Sequence, residues 1–292
     1  MAAVTVAAAQ PQGRAKRLRP KKPPTYRTVL VCAAAYLIAL IFVLPYLEMI
    51  VTALRPQAEL RDRDYLPHHL TFSNFTNIWS TGLGTNLAVS LEISIGATVL
   101  VLLVAIPAAY YTARQPYRGR WLFLLVVLIT QMLQPTALIV GIYKEFLSFH
   151  RVNTVWSLIL VNSGFNLAFA VWIVTAYVAS IPVELEEAAM VDGTSRLGAM
   201  FRVTLPLAAP GLVTALIFTF IAAWNEFIVA LTLTTGSAVM PLTVRLDSFI
   251  GQYTVDWQHL FGASVVATIP VLILFALIER RVVGGLTAGS VK

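Results

Sequence analysis

The chain has 292 residues, 58% of them apolar and only 12% charged, with a mean hydropathy of +0.77 and a formal net charge of +7. A water-soluble domain carries roughly 25% charged residues, so this composition excludes one and points to a membrane protein. Cys32 is the single cysteine, which excludes an intrachain disulfide and a cysteine cluster.

A basic segment comes first. Residues 1–27 hold Arg14, Lys16, Arg17, Arg19, Lys21, Lys22 and Arg27. They are read as a disordered tail, either a plain topological anchor or a segment lying against anionic lipid. Spanning a bilayer takes about 20 mostly apolar residues. Six such runs follow, at 29–54, 87–113, 121–142, 155–180, 208–232 and 260–279. The first is too long for a signal-peptide core and lacks a cleavage site after it, so it is kept as a span. Pro45, Pro107, Pro135 and Pro270 fall inside these runs. Proline is tolerated there because neighbouring helices or side chains satisfy the freed carbonyls. The expected fold is an all-α membrane protein with a six-span core over 28–281 and a short tail over 282–292.

Basic residues set the orientation. The tail, loop two (Arg114, Arg118, Arg120), loop four (Arg196, Arg202) and the C-terminal end (Arg280, Arg281, Lys292) hold 15 of the 21 Lys and Arg residues. The opposite side holds the other 6: Arg55, Arg61, Arg63, Lys144, Arg151 and Arg245. The basic side faces the cytoplasm, so both termini are expected there and the chain is a multi-pass protein of the inner (plasma) membrane. The same distribution explains the basic excess without nucleic acid.

Loop four, residues 181–206, is patterned rather than plain. Pro182 suits a first helical turn, where its missing N–H costs nothing. Glu184, Glu186 and Glu187 lie near the positive helix N-terminus. Ala188 and Ala189 are small enough for another surface to approach, Asp192 follows, and Gly193 permits a sharp turn. Leu197, Met200, Phe201 and Leu205 recur at helical spacing before Pro206 and Pro210. The expectation is a helix–turn–helix plug on the cytoplasmic face, shaped to dock into a soluble partner.

Polar groups inside the spans are the remaining candidates. An intramembrane carboxylate such as Glu226 is costly and calls for a role. It either faces a solute pathway or is paired inside the bundle. Trp224 either stacks on a sugar or packs, and Asn225 is equally open. Glu48 and Glu92 fit solvated span ends. Gln131, Gln134 and Asn166 fit interhelical hydrogen bonds. His68, His69, His150 and His259 read as outer-loop residues, Asp62 and Asp64 as part of a mixed-charge outer loop, and no metal site is expected. No catalytic triad has believable spacing, so an intramembrane enzyme is not expected, nor is a cofactor.

Glu187-Ala188-Ala189, three residues, Gly193, nine residues, Val203, one residue and Leu205-Pro206 resembles the EAA signature of binding-protein-dependent ABC importer permeases. Val203 stands where the family has Ile. Phe72-Ser73-Asn74-Phe75, Thr85-Asn86-Leu87-Ala88-Val89-Ser90, the run from Leu205 to Leu212, and Ala223-Trp224-Asn225-Glu226-Phe227 resemble carbohydrate permeases. The C-terminal run from Gly285 to Lys292 resembles the shorter maltose-type subunit. The resemblance implies a type I importer fold with a coupling helix in loop four. It implies a sister permease, an ABC ATPase dimer and an extracytoplasmic solute-binding protein as partners. It also implies that Glu187, Ala188, Ala189, Asp192, Gly193, Leu205 and Pro206 seat in the ATPase, and that Gly285, Leu286, Thr287, Ala288 and Gly289 reach its interface. No G-x-x-x-x-G-K-[ST] loop occurs in the chain, in keeping with ATP hydrolysis in a separate subunit. The solute expected is a sugar or a sugar-like compound. A permease of the same family for glycerol-3-phosphate or another non-sugar solute, an ion-coupled secondary transporter and a non-transporting scaffold are the alternatives.

Overall fold

A computed structural model of the chain describes residues 26–56, 59, 68–115, 119–236 and 239–288, with 279–288 as backbone alone. Most of the expected basic tail therefore lies outside the described residues. Among the described residues every regular element is helical, and the one β-bridge, Ile250 to Val255, is isolated.

The chain divides into two units at residue 47. The first is the body of α1 (Tyr26–Ala53), an apolar helix with Pro45 inside it. After Arg27 it meets no charge until Glu48, and its 28 residues reach about 42 Å at 1.5 Å each, enough to cross a bilayer.

The second unit is built on α3 (Leu83–Arg114), α6 (Val155–Ala179) and α10 (Ala209–Trp224). Leu83, Asn86, Ser90, Ser94, Ala97, Val101, Ala105, Ala109 and Thr112 form one buried stripe along α3. Their three- and four-residue spacing puts them on one helix face. Small residues let the helices approach closely, as membrane packing requires. Gly211 at the start of α10 sits where a Cβ would come 2.3 Å from the Tyr177 ring, and Gly96 where it would come 2.7 Å from Ile159. Ala105, Ala109, Ala170, Val174, Val178, Ala208 and Ala215 close this core.

Among the described residues four helices are long and apolar enough to cross a membrane, and two bent pairs make six if each pair is one span. Two of the expected runs, the third and the fifth, are interrupted. The run at 121–142 is α4 (Arg120–Thr130) and α5 (Pro135–Ser148), at 91° to each other. Pro135 cannot continue a helix, and Gln134 before it is extended at ψ 138°, as a residue preceding proline prefers. The run at 208–232 stops at Trp224 and restarts as α11 (Ile228–Leu233). Of the polar span residues, Gln131 donates to the Phe165 carbonyl at 3.0 Å between helices, whereas Asn166 bonds within its own helix to Asn162.

The connections around α2 and α12 are tied down by side chains. Asn74, in the short α2 (Ser73–Asn77), is fully buried and donates to the carbonyls of Ala53 and Arg55, both at 2.8 Å, while Gln258 bonds its Oδ1. Asn86 donates to the Met240 carbonyl at 2.7 Å, and Ser90 Oγ accepts from Leu242 N at 2.7 Å. These two hold the start of α12 (Leu242–Asp247) against α3. The last helix, α13 (Trp257–Ala288), begins earlier and ends later than expected. His259 accordingly lies in its first turn rather than in a loop, with Nδ1 2.6 Å from Asp256 Oδ2. Residues 282–288, expected as a tail, continue the helix.

Candidate functional site

Loop four folds into a compact knob. α7 (Glu184–Val191) follows Pro182, and Glu184, Glu186 and Glu187 occupy its first turn, where acidic groups complement the helix dipole. It ends in a left-handed cap. Gly193 has φ +89°, its N–H bonds the Met190 carbonyl at 3.0 Å, and Thr194 N–H bonds the Ala189 carbonyl at 3.0 Å. This pair of bonds is the Schellman arrangement, and glycine adopts it without the Cβ penalty. Ser195 then caps α8 (Arg196–Ala199) by accepting from Gly198 N. The helix runs on through a π-helical turn (Met200–Thr204) and α9 (Leu205–Leu207), past Pro206, before bending 75° into α10.

The faces of this knob differ from the expected amphipathic pattern. Ala199, Met200 and Thr204 point inward, whereas Leu197 is 67% exposed, Phe201 62% and Val191 87%. Glu187, Ala188, Asp192, Gly193 and Pro206 are also exposed, with Ala189 and Leu205 half-buried. A contiguous stretch of chain thus offers water both apolar side chains and a carboxylate.

Glu186 points the other way and is 4% exposed. Its Oε2 accepts from Tyr110 Oη at 2.8 Å, and its Oε1 accepts from Arg114 Nε at 2.7 Å and from Thr204 Oγ1. Arg114 Nη2 is also 2.7 Å from Oε1, and Nη1 donates to the Ile181 carbonyl at 3.0 Å. Burial alone pushes this carboxyl up. The hydrogen bonds from Thr204, Tyr110 and Arg114, joined by the guanidinium charge, outweigh it and hold the group below its ordinary value. Sequence reasoning passed over this cluster, treating Arg114 as a topological charge and Glu186 as one of three acidic residues. Its only trace in the sequence is an acidic residue directly before the Glu-Ala-Ala triplet.

The second candidate region is the break in the fifth span. Glu226 Oε1 accepts from Val229 N at 2.7 Å and Oε2 from Ala230 N at 2.9 Å, so the carboxylate caps α11. Its carbonyl accepts from Thr243 Oγ1 at 2.8 Å. Trp224 is buried and stacked on Phe220, ring centres 5.8 Å apart. Asn225 is exposed. Gly285, Leu286, Thr287 and Ala288 lie on the helical backbone of α13, and Gly289 is outside the described residues. Among the described residues no group of three or more His, Cys, Asp or Glu could hold a metal ion.

Residues 102–283, which include the knob and the break, match the family described as binding-protein-dependent transport system inner membrane component. The diacetylchitobiose uptake system permease protein DasC of Streptomyces coelicolor is 34% identical over 90% of this chain and 95% of its own. The sulfoquinovosyl glycerol transport system permease protein SmoH of Agrobacterium fabrum is 33% identical over 85% and 88%. A chain of a bacterial ABC transporter involved in the import of the acidic polysaccharide alginate superposes with a TM-score of 0.74 at 23% identity, over 90% of this chain and 99% of that one. The chain therefore belongs to the family of binding-protein-dependent transport system inner membrane components, as a membrane-embedded ABC importer permease and not an enzyme.

Proposed function

We propose that the chain forms half of the translocation path for a sugar or sugar-like solute and is driven by an ATPase that docks on the loop-four knob. The knob's exposed Glu187, Val191, Leu197 and Phe201 carry this reading. An apolar patch flanked by polar groups is the mark of a protein interface. Docking there shifts the knob, and the bundle gates as a rigid body. The sister permease and the solute-binding protein complete the assembly. The skew of basic residues supports a cytoplasmic location for the knob and both termini. Two similar permeases named for carbohydrate solutes support the solute class. Asn225, exposed at the break beside Glu226, is proposed to meet solute, and 285–289 to contact the ATPase.

The test is uptake of labelled disaccharides and of glycerol-3-phosphate by cells expressing the whole importer. Disaccharide uptake that Glu187→Lys abolishes, with the variant still inserted in the membrane, is expected. Full uptake by that variant would sink the docking role, and uptake of glycerol-3-phosphate alone would replace the solute.

A further inference from the structure

The side chain that anchors α7 is a charged one. Among the residues of that helix only Glu186 is buried. An apolar anchor can slide against its neighbours at little cost, but a carboxylate held by an arginine and two hydroxyls is fixed in direction as well as distance. Its donors come from separate elements: Tyr110 and Arg114 from the last turns of α3, and Thr204 from the π-helical turn leading to α10. Arg114 also reaches the Ile181 carbonyl just beyond α6. Three segments thus meet at one carboxylate, and Arg114 ties in a fourth at Ile181. Beside it a cavity of about 280 Å³, lined in part by Tyr111, Gln115, Met190 and Arg196, opens where the end of α3 faces α7. The knob is therefore joined to α3 through directed polar bonds next to open space. α3 runs on through Pro107 and carries buried residues from Leu83 to Thr112, so a shift of its C-terminal turn is passed to a helix that packs along α6 and α10.

We infer that Glu186 is a positioning residue for transport, the clamp through which displacement of the knob is passed by way of Arg114 into α3 and thus into the bundle. The inference rests on the proposed docking of an ATPase at the knob. It separates two jobs within one short helix, with Glu187 facing the partner and Glu186 holding the load.

The test is hydrogen–deuterium exchange on the purified importer with all its subunits, with and without ATP and vanadate. In the wild type, exchange is expected to change at both 184–201 and 108–114. In Glu186→Gln the response at 184–201 is retained and that at 108–114 is lost. A response at 108–114 that persists in the variant, or that is missing from the wild type while 184–201 responds, overturns the clamp. A wild type silent at 184–201 instead overturns the docking role itself. Should Glu186→Gln fail to assemble, Tyr110→Phe and Thr204→Val each remove one bond and keep the ion pair. Both are expected to weaken the response at 108–114 relative to 184–201, and an unchanged ratio in both overturns the clamp.

Discussion

Glu226 and Glu186 are both carboxylates drawn out of water, one at the break in the fifth span and the other beneath the loop-four knob. Glu226 accepts from amides three and four residues ahead of it. Glu186 accepts from donors 18, 72 and 76 residues away. A carboxylate satisfied by its own backbone shapes its own stretch of chain, here the start of α11. A carboxylate satisfied by distant side chains ties elements together. One group sets a local conformation and the other sets how segments move together, although both are glutamates that burial makes costly.

The largest test of this contrast is Arg114→Ala. It strands the Glu186 carboxylate in a buried site with its main cation gone, a change that costs about 3–5 kcal/mol where a buried pair loses one partner. Thermal unfolding in detergent should show that loss, and a change near zero would mean that Glu186 is hydrated in solution. Glu226→Gln comes next. It removes the charge and one acceptor from the cap, and loss of a hydrogen bond to a charged group costs roughly 1.5–3 kcal/mol. Amide exchange should rise at 228–230 and stay constant at 184–201. Exchange rising at both places would merge the two regions that the contrast separates.

The smallest effect is on acid stability. The Glu186 carboxyl is held below its ordinary value in the folded chain. Its contribution is therefore complete above the ordinary carboxylate value and fades as pH falls through the folded value. The stability gap between the wild type and Glu186→Gln should be wide at neutral pH and shrink only below about pH 4. A gap that stays constant on acidification would show that the charge contributes nothing.

What could be read from the sequence was local. The turn at Gly193 was legible because its cause, a left-handed cap closed by Gly193 and Thr194 N–H groups, lies within six residues. The spans were legible because hydropathy adds over windows. The same averaging hid the breaks, where a few polar residues and Pro135 decide the local conformation. The pairing of Arg114 with Glu186 crosses 72 residues, and no spacing rule reaches that far. Three glutamates in one helical turn look alike until the fold selects which of them faces inward. Asn74, Asn86 and Ser90 were noticed only as parts of a resemblance. Their work, holding the backbone of Ala53, Arg55, Met240 and Leu242 by side-chain hydrogen bonds, emerges only with tertiary structure.

The outward direction of Val191, Leu197 and Phe201 bears on how such a chain could change hands. Surface substitutions away from a cap or a buried network usually alter stability by under about 0.5 kcal/mol. The residues that would choose the motor can therefore drift, or be exchanged by an engineer, while Glu186 and Arg114 keep the same grip underneath. On the proposed docking at the knob, partner specificity and mechanical integrity are written on opposite sides of one short segment, and a permease of this build is expected to accept a different motor without being refolded.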